Sequence, residues 1–190
     1  DPQMQVSIVE SLEPSRAADI VEEMPKDAAA DLLGDMSEET SSELMNELDQ
    51  QDAAEIGELM EFHESSAGGL MTTDYVAIPS SADVHAARYV IGGIPDLPEN
   101  FNTIFLVDEG GKFSGAVPLS KLVVAASSEK LADLKSEPLL SIPAGSPEDE
   151  VFELIDKYNL LTLPVVDDDG LLIGVVTVDD VLDVAEKEAT

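Results

Sequence analysis

The chain has 190 residues, 44% of them apolar, with 41 acidic against 9 basic side chains and a formal net charge of -32. That is enough apolar material for one large core or two small ones, but the acid excess excludes nucleic-acid and anionic-membrane binding, both of which need clustered Lys and Arg. There is no Cys and there are only 2 His, so disulfides and thiolate centres are excluded, zinc is disfavoured, and carboxylates point to Mg2+ or Ca2+ if any metal binds. No apolar run is long enough to span a membrane, and Asp1 to Glu10 lacks the basic start and apolar core of a leader. The expectation is a soluble piece excised from a longer protein, since the chain begins without Met and stops at Thr190.

The first sixty residues carry a period of 12: Leu12, Met24, Met36, Leu48 and Met60 mark one phase, Ile20, Leu32, Leu44 and Ile56 a second, and Ala17, Ala29, Ser41 and Ala53 a third. Each unit has room for a helix of about two turns and a link, with Pro14, Pro25 and Ser37-Glu38-Glu39 as start signals. Helices this short are marginal alone and must stack. Residues 1–62 are therefore predicted to be an acidic, all-helical repeat domain. Between Lys26 and Arg88 there is no Lys or Arg, while Asp27, Asp31, Asp35, Glu39, Glu43 and Glu47 accumulate. Glu39 with Glu43, and Glu43 with Glu47, share a helix face and repel. A solvated acidic face is the alternative to a cation-binding one.

Residues 61–71, EFHESSAGGLM, form a joint in which Gly68 and Gly69 permit close backbone approach and Leu70-Met71 anchor the start of the next core. His63 and His85 have no companion ligands and read as surface or packing positions. Beyond the joint, a strand, hairpin, strand and helix unit occurs twice. Asp108, Gly111, Gly115 and Leu122 answer Asp167, Gly170, Gly174 and Val181, each at a spacing of 59, and Ile78-Pro79 and Ile142-Pro143 open the two copies. Gly92 to Asn100 is an excursion of the first copy, read as a surface loop, and Ala125 to Leu134 is a linker. No nucleophile elbow, phosphate-cradling loop with Lys, or His-based triad is present, so no enzyme is expected.

The doubled unit resembles a tandem CBS (cystathionine-β-synthase) pair. The fold class expected is then α plus α/β, a short-helix acidic repeat domain over 1–62, a first CBS domain over 63–128 and a second over 129–190. The acidic period, the SSAGGLMTTDYVAIP joint and the GVVTVDDVLDVAEKEAT ending, in that order, resemble the cytosolic part of the MgtE family of magnesium channels. The resemblance implies a cytoplasmic regulatory domain of an inner or plasma membrane protein. It implies a homodimer joined through its CBS domains and acting on its own transmembrane domain, with Mg2+ between acidic faces closing the domains and gating the pore.

Carried over by position, the family's metal ligands fall on Asp180 and Asp183, with Asp179 beside them, on Glu39 and Glu43 in the helical domain, and on the carbonyl of Gly69. The helical assignment carries a register ambiguity of one repeat. Thr177 and Asp180 have the spacing of a helix cap with an acidic third residue. With Gly174 they also resemble the ribose-contacting signature of adenosine-nucleotide sites, so ATP or a related nucleotide is a second candidate ligand. The first copy has Pro118 and Lys121 at those positions. The alternative function is a nucleotide-sensing CBS adaptor that regulates a separate enzyme, its acidic repeat serving as a docking surface.

Overall fold

The computed structural model describes residues 2–62, 65–98 and 100–188. Five helices come first: α1 (Pro2–Glu10), α2 (Pro14–Glu23), α3 (Lys26–Asp35), α4 (Glu38–Glu47) and α5 (Gln50–Met60). Their first residues are 12 apart, as the repeat predicts. Ser37 caps α4 by accepting the Thr40 N–H at 3.2 Å, and Asp49 caps α5 by accepting that of Gln51 at 2.8 Å. Each helix packs mainly on the next but one, α1 on α3, α2 on α4 and α3 on α5. The small residues of the third phase make that possible, because Ala17, Ala29 and Ser41 are all buried and let helix axes come close. Leu32, Leu33, Leu44 and Ile56 fill the middle of the stack, whereas Ile20 and Met60, of the same apolar phases, remain exposed.

The rest is two copies of one unit. The first contains β1 (Ala77–Pro79), α7 (Val84–Gly92), β2 (Thr103–Val107), β3 (Phe113–Pro118) and α8 (Leu119–Val124), preceded by α6 (Ala67–Leu70). The second contains β4 (Ile142–Pro143), α10 (Glu148–Tyr158), β5 (Thr162–Val166), β6 (Leu172–Thr177) and α11 (Val178–Glu188), preceded by α9 (Leu131–Leu134). In each, the first strand runs parallel to the second and the second antiparallel to the third. The hairpins carry the same bulge, after Leu106 in one and after Val165 in the other. At both turns an Asp carboxylate, Asp108 or Asp167, accepts two backbone N–H bonds. Gly111 and Gly170 take φ of 81° and 82°, values that a β-carbon would strain. The two sheets meet at these tips, where the Phe113 N–H donates to the Gly170 carbonyl and that of Leu172 to Gly111.

The leading segments of the copies are exchanged. The α6 segment packs on the second sheet: the Ala67 and Gly68 N–H groups donate to Ser146 and Ala144, and Thr72 forms a two-way backbone bridge with Val175. Conversely, α9 packs on the first sheet, with Leu131 fully buried and its N–H on the Ala82 carbonyl. The consequence is a core that runs without interruption from the helical repeat through Ala67, Leu70 and Met71 into Ile142, Val151, Leu163 and Val176, while the first sheet has a core of its own around Ile104, Leu106 and Val117.

Two glycines make the joint possible. A β-carbon on Gly68 would lie 2.5 Å from the Phe62 ring, and one on Gly174 would lie 2.5 Å from the Met71 sulfur. Gly174→Ala therefore forces Met71 out of its seat on β6 and should lower stability by roughly 1–3 kcal/mol. Gly145→Ala, where nothing lies within 4 Å, should change it little. Urea unfolding of the two variants checks this, and equal midpoints would mean that Met71 moves without loss.

Candidate functional site

The strand β6 ends at Thr177, and α11 starts immediately after it. The Thr177 hydroxyl donates to Asp180 Oδ2 at 2.6 Å and accepts a long bond from the Asp180 N–H at 3.5 Å, the reciprocal pattern of a helix start. Asp180 is half-buried by this arrangement. Burial pushes its carboxyl above the ordinary carboxylate range against the lowering effect of Thr177, and Asp179 and Asp183 add repulsion. Asp179 is exposed and accepts from Asn100 Nδ2 at 2.9 Å, and Asp183 is exposed one turn along.

The acid that faces Asp180 from the helical repeat is Asp27, in the first turn of α3. Burial, followed by the repulsion of Asp180 and then Asp31, raises the Asp27 carboxyl from 3.8 to about 7, although backbone N–H bonds act in the opposite direction. Its Oδ1 is buried and has no hydrogen-bond partner. A carboxylate oxygen left in that position normally has a proton, a water or a cation on it. Asp31, one turn further on, lines with Asp27 and Gly69 a cavity of about 120 Å³ closed by Leu59, Met60 and Phe62. So Asp27, Asp31 and Gly69 share one cavity between the repeat and the joint, and Asp27 lies within electrostatic range of Asp180 at the start of α11. Among the described residues no three His, Cys, Asp or Glu side chains gather closely enough to cage a metal. Two or three oxygens and open space suit Mg2+, which keeps several of its waters.

Glu39 and Glu43 lie on α4, exposed, one repeat after Asp27 and Asp31. Helix α4 packs on α2, whereas α3 packs on α5 and presents its first turn to Asp180. Sequence reading missed Asp27 and Asp31 as members of the cluster because the period makes them equivalent to Glu39 and Glu43. The available signal was Lys26, the only base near that stretch. His63 lies outside the described residues, and His85 is an exposed residue of α7.

A second, open cleft of about 1390 Å³ lies beside this cluster. It is bounded by the α2–α3 turn, the segment Thr73 to Val76, the excursion residues Ile94, Asp96, Leu97, Pro98 and Asn100, and Asp179. The excursion thus walls a cleft while Ile94 and Leu97 pack on the first core. In the first copy, Lys121 Nζ is engaged with the Leu134 carbonyl at 3.0 Å, so the position that matches Asp180 supplies no carboxylate.

An acidic helical repeat continuous with an exchanged pair of CBS units, and carboxylates gathered at their junction, defines a regulatory module rather than a catalytic one. Residues 1–65 match the MgtE intracellular N domain and residues 131–187 match the CBS domain. The chain superposes on the soluble part of a magnesium transporter with a TM-score of 0.93 at 32% identity, covering 99% of this chain and 73% of that one. It superposes on the cytosolic domain of the Mg2+ channel MgtE in complex with ATP with a TM-score of 0.89 at 35% identity, covering 97% and 75%. It is 39% identical over 133 residues to the magnesium transporter MgtE of Thermus thermophilus, covering 70% of this chain and 29% of that protein. The chain belongs to the MgtE family and corresponds to its soluble, cytosolic part. It spans about three tenths of the length of the curated relatives that it matches.

The sign of the Asp27 shift sets a pH dependence. A carboxyl raised from 3.8 to about 7 in the folded state binds its proton more tightly when folded, so the stability it contributes is full below pH 3.8 and is lost as pH rises through about 7. With divalent cations chelated, the protein should lose stability between pH 5 and pH 8, and Asp27→Asn should recover about 2 kcal/mol at pH 8. Denaturant melts at the two pH values measure the difference. A parent and variant with the same slope would remove Asp27 as its source.

Proposed function

We propose that this chain is the magnesium-sensing regulatory part of a magnesium channel or transporter, in which Mg2+ bound between the helical repeat and the CBS pair closes one on the other and so gates the pore. The observation that carries this reading is the orphaned Asp27 carboxylate oxygen beside Asp180. A divalent ion there replaces repulsion with attraction. Asp27, Asp31 and the Gly69 carbonyl would hold it from one side and Asp180 from the other, with Asp179 and Asp183 extending the acidic face. Glu39 and Glu43 contribute to the outer field that cations screen. The domains are taken as 1–62, 63–128 and 129–190, the last two exchanging their leading segments.

The unit acts as a homodimer on its own transmembrane domain. Arg88 donates to the carbonyls of Leu122, Val123 and Ala125 and so holds α7 against α8. Tyr89, Val123 and Val124 are left 80%, 77% and 84% exposed on those adjacent helices, an apolar face suited to a second copy. Val123→Glu with Val124→Glu should convert a dimer into a monomer in light scattering without loss of helix signal. A dimer in the double variant would place the interface elsewhere.

A nucleotide is the second ligand of this reading, supported by the ATP complex of the similar cytosolic domain and by the Thr177 and Asp180 pair. Phosphates entering a chain of charge -32 would do so with a cation bound to them.

Solution X-ray scattering during a Mg2+ titration at constant ionic strength tests the main reading, with K+ as control. The radius of gyration should fall with Mg2+ and not with K+. Asp27→Asn with Asp180→Asn should abolish the fall, and Glu39→Gln with Glu43→Gln should leave most of it. The same change with K+ would reduce the effect to general screening. Nucleotide binding without any Mg2+ response would favour the adaptor.

A further inference from the structure

The helices of the repeat pack in two rows, α1, α3 and α5 in one and α2 and α4 in the other. The first row runs on into the CBS pair, because α5 is followed by α6, which packs on α5 and on the second sheet. The second row has no such continuation. After Met60 the chain leaves for the first sheet, and among the described residues α2 is the one element on which α4 packs extensively.

What lies against α4 instead is an open groove of about 590 Å³. Glu38, Ser41, Ser42, Met45 and Asn46 border it, at the spacing that makes one stripe along nearly the whole helix. Across it stand Gly34 and Met36 at the end of α3 and Met60 at the end of α5. The methionines give the groove an apolar lining that is unbranched and flexible, and so adapts to the side chains of an incoming helix. Met60 is 39% exposed in that position. Gly34, Ser41 and Ser42 are small, and a β-carbon on Gly34 would meet nothing within 4 Å, so another backbone can approach closely. The charge around this lining has one sign: Asp35, Glu38, Glu39, Glu43 and Glu47 are exposed, and no Lys or Arg occurs between Lys26 and Arg88.

That charge selects the occupant. A second copy, with its own net charge of -32, would bring acid against acid, and an anionic membrane would do the same. A helix with apolar residues on one face and Lys or Arg on the other meets both the methionines and the acidic rim. We propose that the groove between α4 and the ends of α3 and α5 binds a basic amphipathic helix of a partner protein, which adds a third member to the row of α2 and α4. Every residue that borders the groove belongs to the repeat, so docking needs nothing from the CBS pair or from Mg2+. Gly34 and Met60 also border the cavity of Asp27 and Asp31, and a docked helix shares that wall with it.

Fluorescence anisotropy of a labelled peptide of about 18 residues, roughly five helical turns, with Leu along one face and Lys on the other, tests this with the whole chain in EDTA at physiological ionic strength. The peptide should bind, and a scrambled peptide of the same composition, or one with Glu in place of Lys, should not. Ser42→Glu with Met60→Glu adds two acids but removes the apolar seat. It should weaken binding by roughly tenfold or more, about the effect of leaving one apolar side chain unburied. Gly34→Glu should act in the same direction, and it carries the test if the double variant does not fold by circular dichroism. Unchanged or tighter binding in these variants, or equal binding of the scrambled peptide, would overturn the groove and leave only attraction between opposite charges. Equal binding of the Glu peptide would overturn the basic occupant, and no binding of the Leu and Lys peptide would overturn docking outright. Self-association in light scattering that Gly34→Glu abolishes would give the groove to a second copy instead.

Discussion

Burial at the junction of the repeat with the CBS pair makes ionised carboxylates costly there, and it raises both Asp27, which Asp180 and Asp31 also repel, and Asp180, which Asp179 and Asp183 also repel. The proton that Asp27 keeps to about pH 7 is one answer to the repulsion. A divalent ion is the stronger one, because it leaves both groups charged and attracts each. The rest of the acidic surface acts at longer range, where each pair contributes little and salt screens it.

What makes the junction sensitive is that its two sides are structurally committed. The repeat shares one apolar core with the second CBS copy through Ala67, Leu70 and Met71. The α6 segment that carries those residues is bonded to the second sheet although it precedes the first in the chain. Asp180 stands at the start of a helix fixed by Thr177, and Asp27 in the first turn of a helix packed on α5. Neither carboxylate can swing away cheaply. Repulsion acting on Asp27 is therefore borne by whole elements and not by a free side chain.

The architecture was legible where it repeats. The 12-residue period and its start signals at Pro14, Pro25 and Ser37 marked the helical repeat, and the 59-residue spacing placed both hairpins, down to the Asp and Gly of each turn, because these signals depend on local conformation that only certain residues allow. Exchange of α6 and α9 between the copies was not legible, since it is a matter of which of two nearly equivalent sheets a segment meets. The acids of the repeat are hard to tell apart for a related reason. Asp180 is singled out by its cap with Thr177 at a unique helix start, but the partner from the repeat could be any acid in the right phase. Asp27 and Glu39 are identical to a 12-residue periodicity, and only packing distinguishes the half-buried Asp27 from Glu39 left in solvent. Lys26 offered the one asymmetry. Buried in so acidic a stretch, it joins α3 to Asp52 of α5 and to the Glu22 carbonyl of α2, a task internal to the repeat.

Asp180 also lies at the intersection of the two ligand readings. Its Oδ2 already accepts from Thr177 at 2.6 Å and the group faces Asp27. A ribose hydroxyl reaching it would have to share that oxygen or displace the Thr177 bond, and would do so beneath a second carboxylate. A hydrated cation meets neither obstacle, because it is attracted by both acids and needs from Asp180 only the oxygen that Thr177 leaves available. In the first copy the matching position is a lysine that donates to the Leu134 carbonyl. The asymmetry between the copies therefore leaves acids around Asp180 in the second and a lysine at the matching position of the first.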